Sequence, residues 1–324
     1  MTKIVGLAQF ISELRPPKYV LRPFLQRGYV YALTAHTNHG KTALVHYWIL
    51  KRVTGRVLLL CGENPDDSRA RMYALAEHLK LDLAELDKRV YVWAGANKLR
   101  DILGSVISQA NKIGEFDLVV VDTSAAYFSY EDENDNVQAR QHAQDCRVLT
   151  ESIAGHPCTL IPCHPAKASS QDSLTPRGGS GFNGEIDCNL TLHFDGEIAT
   201  LHHIKIRGPA FEPQTYRMVP YTIQGIADEE GGAIESVVCE ALNEAQEAVL
   251  SARRTEDENL VLFAMKAAPE AAMASWARAC GWQGNKAKVH RILLRLEPDK
   301  LVRKYRGRWE LTPKGVRECS KDTP

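Results

Sequence analysis

The chain has 324 residues, 44% of them hydrophobic and 25% charged, which is the composition of a globular protein rather than a disordered or fibrous one. Forty basic residues balance forty acidic ones, so the overall charge does not indicate a nucleic-acid partner. The eight cysteines form no C-x-x-C pair, and no apolar run reaches the roughly 20 residues of a membrane span. We therefore predict a cytoplasmic protein without disulfides and without a membrane partner.

The most informative stretch lies at residues 29–43 and reads YVYALTAHTNHGKTA. Residues 29–33 have the β-branched and aromatic character of a buried strand, and residues 41–50 carry apolar positions at helical spacing. A strand end and a helix start therefore meet at a short loop, where unpaired N–H groups and the helix dipole favour an anion. The candidate nucleotide-binding residues are Ala35, His36, Thr37, Asn38, His39, Gly40, Lys41 and Thr42.

This stretch matches the phosphate-loop pattern G-x-x-x-x-G-K-[ST] except at its first glycine, where Ala35 stands. In such a loop Lys41 contacts the β and γ phosphates and the Thr42 hydroxyl binds Mg²⁺, so ATP and Mg²⁺ are the expected cofactors. The alternative is a chance G-K-T between a strand and a helix. A zinc site at His36 and His39 is not expected, because no further ligands stand at suitable spacing.

Strand and helix patterns alternate after this loop. Strands are predicted at 56–60, 89–93, 116–121 and 158–162, and helices at 66–79, 99–113 and 137–153. Such alternation predicts parallel βαβ units whose ligands lie at the carboxyl ends of the strands. The Asp-Gly turn at 195–196 predicts an antiparallel hairpin over 187–206, and residues 214–223 add another strand.

Three side chains follow strand ends and are candidates for catalysis. Asp122 comes after the run FDLVVV and is placed to hold Mg²⁺ together with Thr42. Glu63 follows the neighbouring strand and could deprotonate the attacking water, although a solvated residue in a G-E-N-P turn is the alternative. His164 could contact the γ phosphate, and a structural histidine is the competing interpretation.

Lys205 and Arg207 flank Ile206 at the end of the predicted hairpin, so a period of two places both on one face. If subunits form a ring, the pair could reach the nucleotide of a neighbour, with Arg207 stabilising the charge that develops in phosphoryl transfer. If the protein is a monomer, both are solvated residues at an edge.

The chain divides into four parts in this prediction: an N-terminal docking segment at 1–27, an ATPase core at 28–224, a linker at 225–256 with a helix from 235 to 250, and a small domain at 257–324. The small domain has the order helix, helix, helix, hairpin, which is the order of a winged helix. It could bind DNA or a partner protein.

The tail carries the basic charge of the chain. From residue 251 onward there are sixteen Lys and Arg against nine Asp and Glu, and residues 276–316 hold eleven basic residues against three acidic ones. This pattern is typical of phosphate contact. The candidate DNA-binding residues are Lys288, Arg291 and Arg295 on the third predicted helix and Arg306 in the hairpin turn.

With these residues in view, residues 15–208 resemble the RecA-type ATPase core of plasmid RepA-type and phage hexameric helicases, which are relatives of the DnaB-type replicative helicases. The matching segments are RPPKYVLRPFLQRGYVYALTAHTNHGKT, CGENPDD, DLVVVDTSAAYF, PCHPAK, RGGSGFNGEID and HIKIRG. The resemblance implies an α/β fold, a RecA-like P-loop NTPase with a mostly parallel central sheet and C-terminal antiparallel strands.

The resemblance also implies roles for individual residues. Glu63 corresponds to the catalytic base, Asp122 to the Walker B aspartate and His164 to the histidine that precedes the DNA-facing loop. Lys205 and Arg207 correspond to the basic pair that reaches the next subunit. The loops that face the ring channel correspond to 124–136 and 165–186, where Lys167 and Arg177 could touch single-stranded DNA.

These patterns predict a hexameric, Mg²⁺-dependent ATPase that acts as a helicase or translocase on single-stranded DNA, in replication of a plasmid, phage or other mobile element. The basic tail would add affinity or dock to a replication partner. A second hypothesis is a nucleotide-switched DNA-binding or helicase-loading protein that does not translocate. A third is a DNA-binding regulator whose nucleotide site has decayed, with Ala35 as the first sign.

Overall fold

The computed structural model describes residues 4–14, 16–167, 169, 174–196, 198–297 and 299–319. Two units can be separated. The first comprises Met1–Phe194 and Ala199–Glu240, and the second comprises Asp195–Ile198 and Ala241–Pro324. In the described ranges no helix is long and apolar enough to cross a membrane.

A nine-stranded sheet forms the centre of the first unit. Its strands are β3 Val30–Thr34, β4 Val57–Cys61, β5 Val90–Ala94, β6 Leu118–Asp122, β7 Cys158–Cys163, β8 Cys188–Phe194, β9 Ile198–Lys205, β10 Gln214–Ala227 and β11 Ala233–Ala241. They lie in the order β11-β10-β9-β8-β3-β7-β6-β4-β5. The neighbours from β8 to β5 pair in parallel, and β9 pairs antiparallel with β8. Two further strands, β1 Tyr19–Leu21 and β2 Leu25–Gln26, form a separate small ribbon.

Helices follow the parallel strands as the sequence predicts. They are α1 Leu7–Ser12, α2 Lys41–Tyr47, α3 Pro65–His78, α4 Leu83–Asp87, α5 Leu99–Ile113, α6 Asn136–Ser152 and α7 Gly179–Glu185. α2 continues into a single π-helical turn at Trp48–Arg52. Asn64 caps α3 by accepting from the backbone N–H groups of Asp66 and Asp67, and Asp135 caps α6 in the same way.

Burial explains why β3, β4, β6 and β7 read as continuous apolar runs. Every residue of these four strands is buried, as expected for parallel strands covered by helices on both faces. On one side Val119 and Val121 of β6 pack with Val106 of α5 and Leu149 of α6. The predicted α/β fold with a mostly parallel sheet and C-terminal antiparallel strands is therefore present.

The segment predicted as a loop at 165–186 is partly helical. α7 packs directly on the start of α6, because a Cβ atom at Gly181 would lie 2.0 Å from the carbonyl oxygen of Asn136. A Cβ atom at Gly178 would lie 2.2 Å from the Cβ of Ala139. The glycines that suggested an irregular loop instead permit close helix contact. Residues 168 and 170–173 of the predicted loop lie outside the described residues.

The prediction of a linker at 225–256 was wrong. β10 extends to Ala227, residues 228–232 make a tight turn, and β11 continues the sheet where a helix from 235 was expected. The turn forms because Asp228 accepts from the backbone N–H groups of Glu230 and Gly232, a contact that charge and glycine content alone do not reveal.

The second unit begins with a 24-residue helix, α8 Glu244–Ala267, which is capped by Asn243 in a capping box with Gln246. It continues with α9 Met273–Ala279, α10 Lys286–Leu296, a hairpin of β12 Val302–Tyr305 and β13 Arg308–Leu311, and α11 Pro313–Glu318. Trp276, Ile292, Leu293 and Trp309 lie in its core. The predicted order of three helices and a hairpin is present, and the assignment to the winged-helix class stays a prediction.

The N-terminal segment exposes apolar side chains. No residue of α1 is buried, and Leu7, Phe10 and Leu14 are 73%, 68% and 83% exposed. Its role in docking stays a prediction.

His46 on α2 makes the stability of the first unit sensitive to acid. The side chain is 1% exposed, and both ring nitrogens are without a hydrogen-bond partner. Burial, with a smaller effect from Arg71, lowers its pKa to about 4, below the ordinary value of 6.5. The unfolded chain therefore binds more protons between these values. The contribution of neutral His46 to the free energy of unfolding is fully present above pH 6.5 and is lost as the pH falls through about 4.

Between pH 7.5 and pH 5, we expect the free energy of unfolding to fall by about 2 kcal/mol more in the wild-type protein than in His46→Leu. Urea unfolding at the two pH values measures this difference. His156→Asn, which changes an exposed histidine of the same unit at a left-handed position that asparagine tolerates, is the control and should follow the wild-type protein. Equal losses in the wild type and His46→Leu would contradict the assignment.

Candidate functional site

The loop at residues 35–40 connects the end of β3 to the first turn of α2. Within it the left-handed backbone conformation falls on Asn38 (φ 64°) and Gly40 (φ 81°) and not on Ala35. A Cβ atom at Gly40 would also lie 2.5 Å from the Cε of Met218, so that flexible side chain would have to move. The Ala35 side chain is buried and its N–H donates to the carbonyl oxygen of Cys163 over 3.3 Å. Replacement of the first glycine by alanine therefore leaves the loop conformation accessible.

Lys41 is folded against this loop. Its Nζ donates to the carbonyl oxygens of Ala35 (2.7 Å) and His36 (3.1 Å), and the residue is 7% exposed. Burial lowers the pKa of Lys41, whereas Asp122 and Glu63 act in the opposite direction. A buried ammonium ion at a helix start is a strong attractor for phosphate oxygens.

His39 of the loop contacts β8. The Nδ1 of His39 accepts from the backbone N–H of Phe194 over 3.3 Å. The ring centroid of His39 lies 5.3 Å from that of His36 and 5.9 Å from that of His193. Burial, then His36 and His193, lower the pKa of His39 to about 4. His39 is therefore neutral at physiological pH.

Glu63 and Asp122 are brought together because β4 and β6 are neighbours with Cys61 opposite Asp122. The Thr123 hydroxyl, directly after Asp122, donates to Glu63 Oε1 over 2.7 Å. The peptide bond between Asp122 and Thr123 is cis. The structure shows that Thr123 holds the carboxylate of Glu63.

Asp122 has the environment of a metal ligand. Its Oδ1 is buried without a hydrogen-bond partner, and burial followed by the charge of Glu63 raises its pKa to about 7. An unsatisfied buried carboxylate oxygen close to Lys41 fits a divalent cation bound beside a phosphate chain.

Protein side chains alone do not complete a cation site in the described part of the chain. No group of three or more His, Cys, Asp or Glu residues could hold a metal ion there. This fits Mg²⁺, which takes one or two protein ligands and completes its shell with water and substrate phosphates.

His164 lies beside Glu63 at the end of β7. Its Nε2 is 3.9 Å from Glu63 Oε1, and this contact is the largest cause of a lowered pKa for Glu63. A lowered pKa keeps Glu63 ionised and able to accept a proton. The carbonyl oxygen of His164 accepts from the backbone N–H of Arg177 over 2.9 Å, so the histidine is tied to the segment that follows it.

The structure places the two predicted DNA-facing residues differently. Lys167 is exposed. Arg177 forms an ion pair with Glu133 over 2.5 Å, and its Nε is buried without a partner. This pair joins the segment 124–136 to the segment that carries Arg177. A small cavity between the two segments, of about 10 Å³, is lined by His142, Cys163 and His164 among others.

The two residues of the predicted intersubunit pair have different hydrogen-bond partners. Lys205 Nζ donates to the carbonyl oxygens of Asn183 (2.5 Å) and Ile186 (2.6 Å), so it holds the end of α7. The intersubunit role of Lys205 and Arg207 stays a prediction. The side chain of Arg207 is 62% exposed.

Arg207 lies far from the loop of its own subunit. It donates to Asp187 Oδ1 over 3.0 Å, and Asp187 Oδ2 accepts from the backbone N–H of Val30. Val30 begins β3, whereas the phosphate loop follows Thr34 at the other end of that strand. Four residue steps at 3.3 Å correspond to about 13 Å. Sequence reasoning missed Asp187, although it closes the motif RGGSGFNGEID.

In the second unit, two predicted DNA-binding residues are paired internally. Lys288 Nζ is 2.9 Å from Asp257 and 3.9 Å from the ring centroid of Trp282. Arg295 donates to Glu258 over 3.0 Å. Helical spacing placed both on α10 but could not show that they face α8. Arg291 and Arg306 are exposed.

Comparison with known proteins gives one finding. A family model described as "AAA domain" matches residues 2–170, which is just over half of the chain. A search of curated proteins found no significant match.

Proposed function

Since this chain belongs to the AAA domain family, whose members are ATPases, we propose that it uses ATP hydrolysis to move along or remodel single-stranded DNA as a hexameric ring. The process served is replication of a plasmid, phage or other mobile element. The observation that carries the ATPase is the convergence of Lys41, Asp122 and Glu63 at the carboxyl ends of β3, β6 and β4.

Each residue has a distinct task in this proposal. Backbone N–H groups of residues 36–42 bind the phosphates, and Lys41 leaves the carbonyl groups of Ala35 and His36 to contact the β and γ phosphates. Thr42 and Asp122 would hold Mg²⁺, which neutralises charge on the phosphates when bound.

Glu63 orients the attacking water and accepts its proton, because it is ionised and held by Thr123. The γ phosphate alters the contact between His164 and Glu63, and His164 shifts in response. The backbone of Arg177 moves with it, because the Arg177 N–H donates to the carbonyl oxygen of His164. Lys167 and Arg177 contact the DNA strand. Arg177 must first leave Glu133, so a DNA phosphate competes with that carboxylate.

Two features support a ring. Arg207 lies at the opposite end of β3 from its own phosphate loop and is 62% exposed, so it can serve only the nucleotide of another subunit. The exposed apolar side chains of Leu7, Phe10 and Leu14 supply a further surface for contact between copies.

A second candidate is a nucleotide-switched DNA-binding or helicase-loading protein. The Arg177–Glu133 ion pair favours this candidate, because breaking the pair exposes a cation that can bind DNA. A decayed nucleotide site is disfavoured, because Ala35 does not occupy a left-handed position and the catalytic carboxylates remain in place.

The test is steady-state ATP hydrolysis at several protein concentrations, with and without single-stranded DNA. We expect turnover per subunit to rise steeply with concentration, because Arg207 completes the site only in an oligomer, and to rise further with DNA. Lys41→Ala is the negative control, and Lys112→Ala, an exposed lysine on α5, is the matched surface control. ATP binding with background turnover in every condition would exclude the motor and favour the switch.

A further inference from the structure

The cations of the second unit fall into two classes. Lys288, Arg295 and Arg303 are paired with carboxylates of the same unit, namely Asp257, Glu258 and Glu310. Among the described residues of the hairpin, Lys304, Arg306 and Arg308 are exposed and have no carboxylate partner. The hairpin therefore carries three exposed cations that no carboxylate of the described residues neutralises.

The hairpin arranges these cations on both of its strands. Register pairs Lys304 with Trp309 and Tyr305 with Arg308, and Arg306 begins the turn. Trp309 is 6% exposed, so the face that carries it packs on the core of the unit. The opposite face presents Tyr305 beside Arg308 to solvent.

Tyr305 is the centre of this surface. It is 48% exposed, and the guanidinium carbons of Arg303 and Arg306 lie 5.5 Å and 5.4 Å from its ring centroid. Guanidinium groups that are ordered against an aromatic ring lose less side-chain freedom when they bind phosphate.

The outward face of α10 is a weaker candidate. It exposes Lys286 and Arg291, but Leu294 is 48% exposed on the same helix and Glu297 follows it. An exposed leucine and a carboxylate are unfavourable against a phosphate backbone.

We propose that the β12–β13 hairpin, and not α10, is a binding site for double-stranded nucleic acid. A two-stranded β-ribbon has the width that the major groove of a duplex admits, and phosphates line both edges of that groove. Arg308 lies opposite Tyr305 in the register and Arg306 lies over the Tyr305 ring, so both are on the outward face and can reach the phosphates of the groove. This proposal rests on the proposed function only because it takes nucleic acid as the class of ligand. It gives the protein a contact with duplex nucleic acid in addition to the single-strand contact proposed for the ATPase core.

The test compares two charge-matched double variants of the full chain, Arg306→Gln/Arg308→Gln on the hairpin and Lys286→Gln/Arg291→Gln on α10. Fluorescence anisotropy with a 20-bp duplex is measured without nucleotide at several salt concentrations. We expect the hairpin variant to lose about 10- to 100-fold in affinity, and its salt slope to become shallower by about 2, because each lost phosphate contact removes about 0.9 from the slope. The α10 variant should stay within about 3-fold of the wild type.

Further measurements keep the result interpretable. Equal melting temperatures of both variants and the wild type show that the unit is folded. Tyr305→Ala should weaken duplex binding and leave the salt slope unchanged, since it removes no charge.

Three outcomes would overturn the proposal: a larger loss in the α10 variant, unchanged duplex binding in the hairpin variant, or competition by polyglutamate or single-stranded DNA as strong as by duplex. Because no nucleotide is present, failure of the ATPase proposal would appear only in the turnover assay.

Discussion

Glu63→Gln is expected to bind ATP as well as the wild-type protein does and to hydrolyse it about 10²- to 10⁴-fold more slowly. The glutamine keeps the shape of the side chain and can still accept a hydrogen bond from Thr123. It cannot take a proton from water. ATP affinity from a fluorescent-analogue titration and turnover from phosphate release separate the two effects.

The control is Glu151→Gln, which changes an exposed glutamate on α6 and should leave both quantities unchanged. If Glu63→Gln instead weakened ATP binding and left the turnover of bound ATP intact, Glu63 would be a binding residue and the base would have to be sought elsewhere. His164, whose Nε2 lies 3.9 Å from Glu63 Oε1, would then be the first residue to test as the base.

Arg207→Ala is expected to reduce turnover by about 10³- to 10⁵-fold, the range found for an arginine that stabilises charge in phosphoryl transfer. The effect should depend on the neighbour. In the proposed ring each site would contain Glu63 from one subunit and Arg207 from the next. A mixture of Arg207→Ala with Glu63→Gln would then form some complete sites. We expect the mixture to regain a substantial part of the turnover that each variant lacks alone.

Two controls isolate this role from the ion pair with Asp187. Arg207→Lys retains a cation for Asp187 but has no planar guanidinium group, so it should stay defective in turnover. Arg217→Ala removes an exposed arginine on β10 and should behave as the wild type. Loss of turnover that mixing does not restore would show that Arg207 acts within its own subunit or only maintains the fold.

Much of the first unit was predictable because its signals are local. The apolar runs at β3, β4, β6 and β7 indicate strands buried on both faces, and the helix at 99–113 has the predicted bounds. The positions of Lys41, Glu63 and Asp122 after strand ends follow from the rule that such ends meet at one edge of a parallel sheet.

The errors have a common cause. The acidic, glycine-rich segment at 225–235 has the composition of a linker, yet it contains a hairpin turn stabilised by Asp228. The glycines at 178 and 181 are typical of a loop, yet they permit α7 to contact α6. In both places the local composition is compatible with two structures, and packing against a distant segment selects one of them.

The sequence by itself determined the class of fold, the phosphate loop and the candidate catalytic carboxylates, because each depends on residues close together in the chain. Only the tertiary structure decided which cations are available. Arg177 is paired with Glu133, Lys205 with the end of α7, and Lys288 with Asp257. The physical reason is that a charge is neutralised by whatever carboxylate or carbonyl oxygen the fold brings within hydrogen-bond distance, and those partners lie 19 to 44 positions away in the sequence.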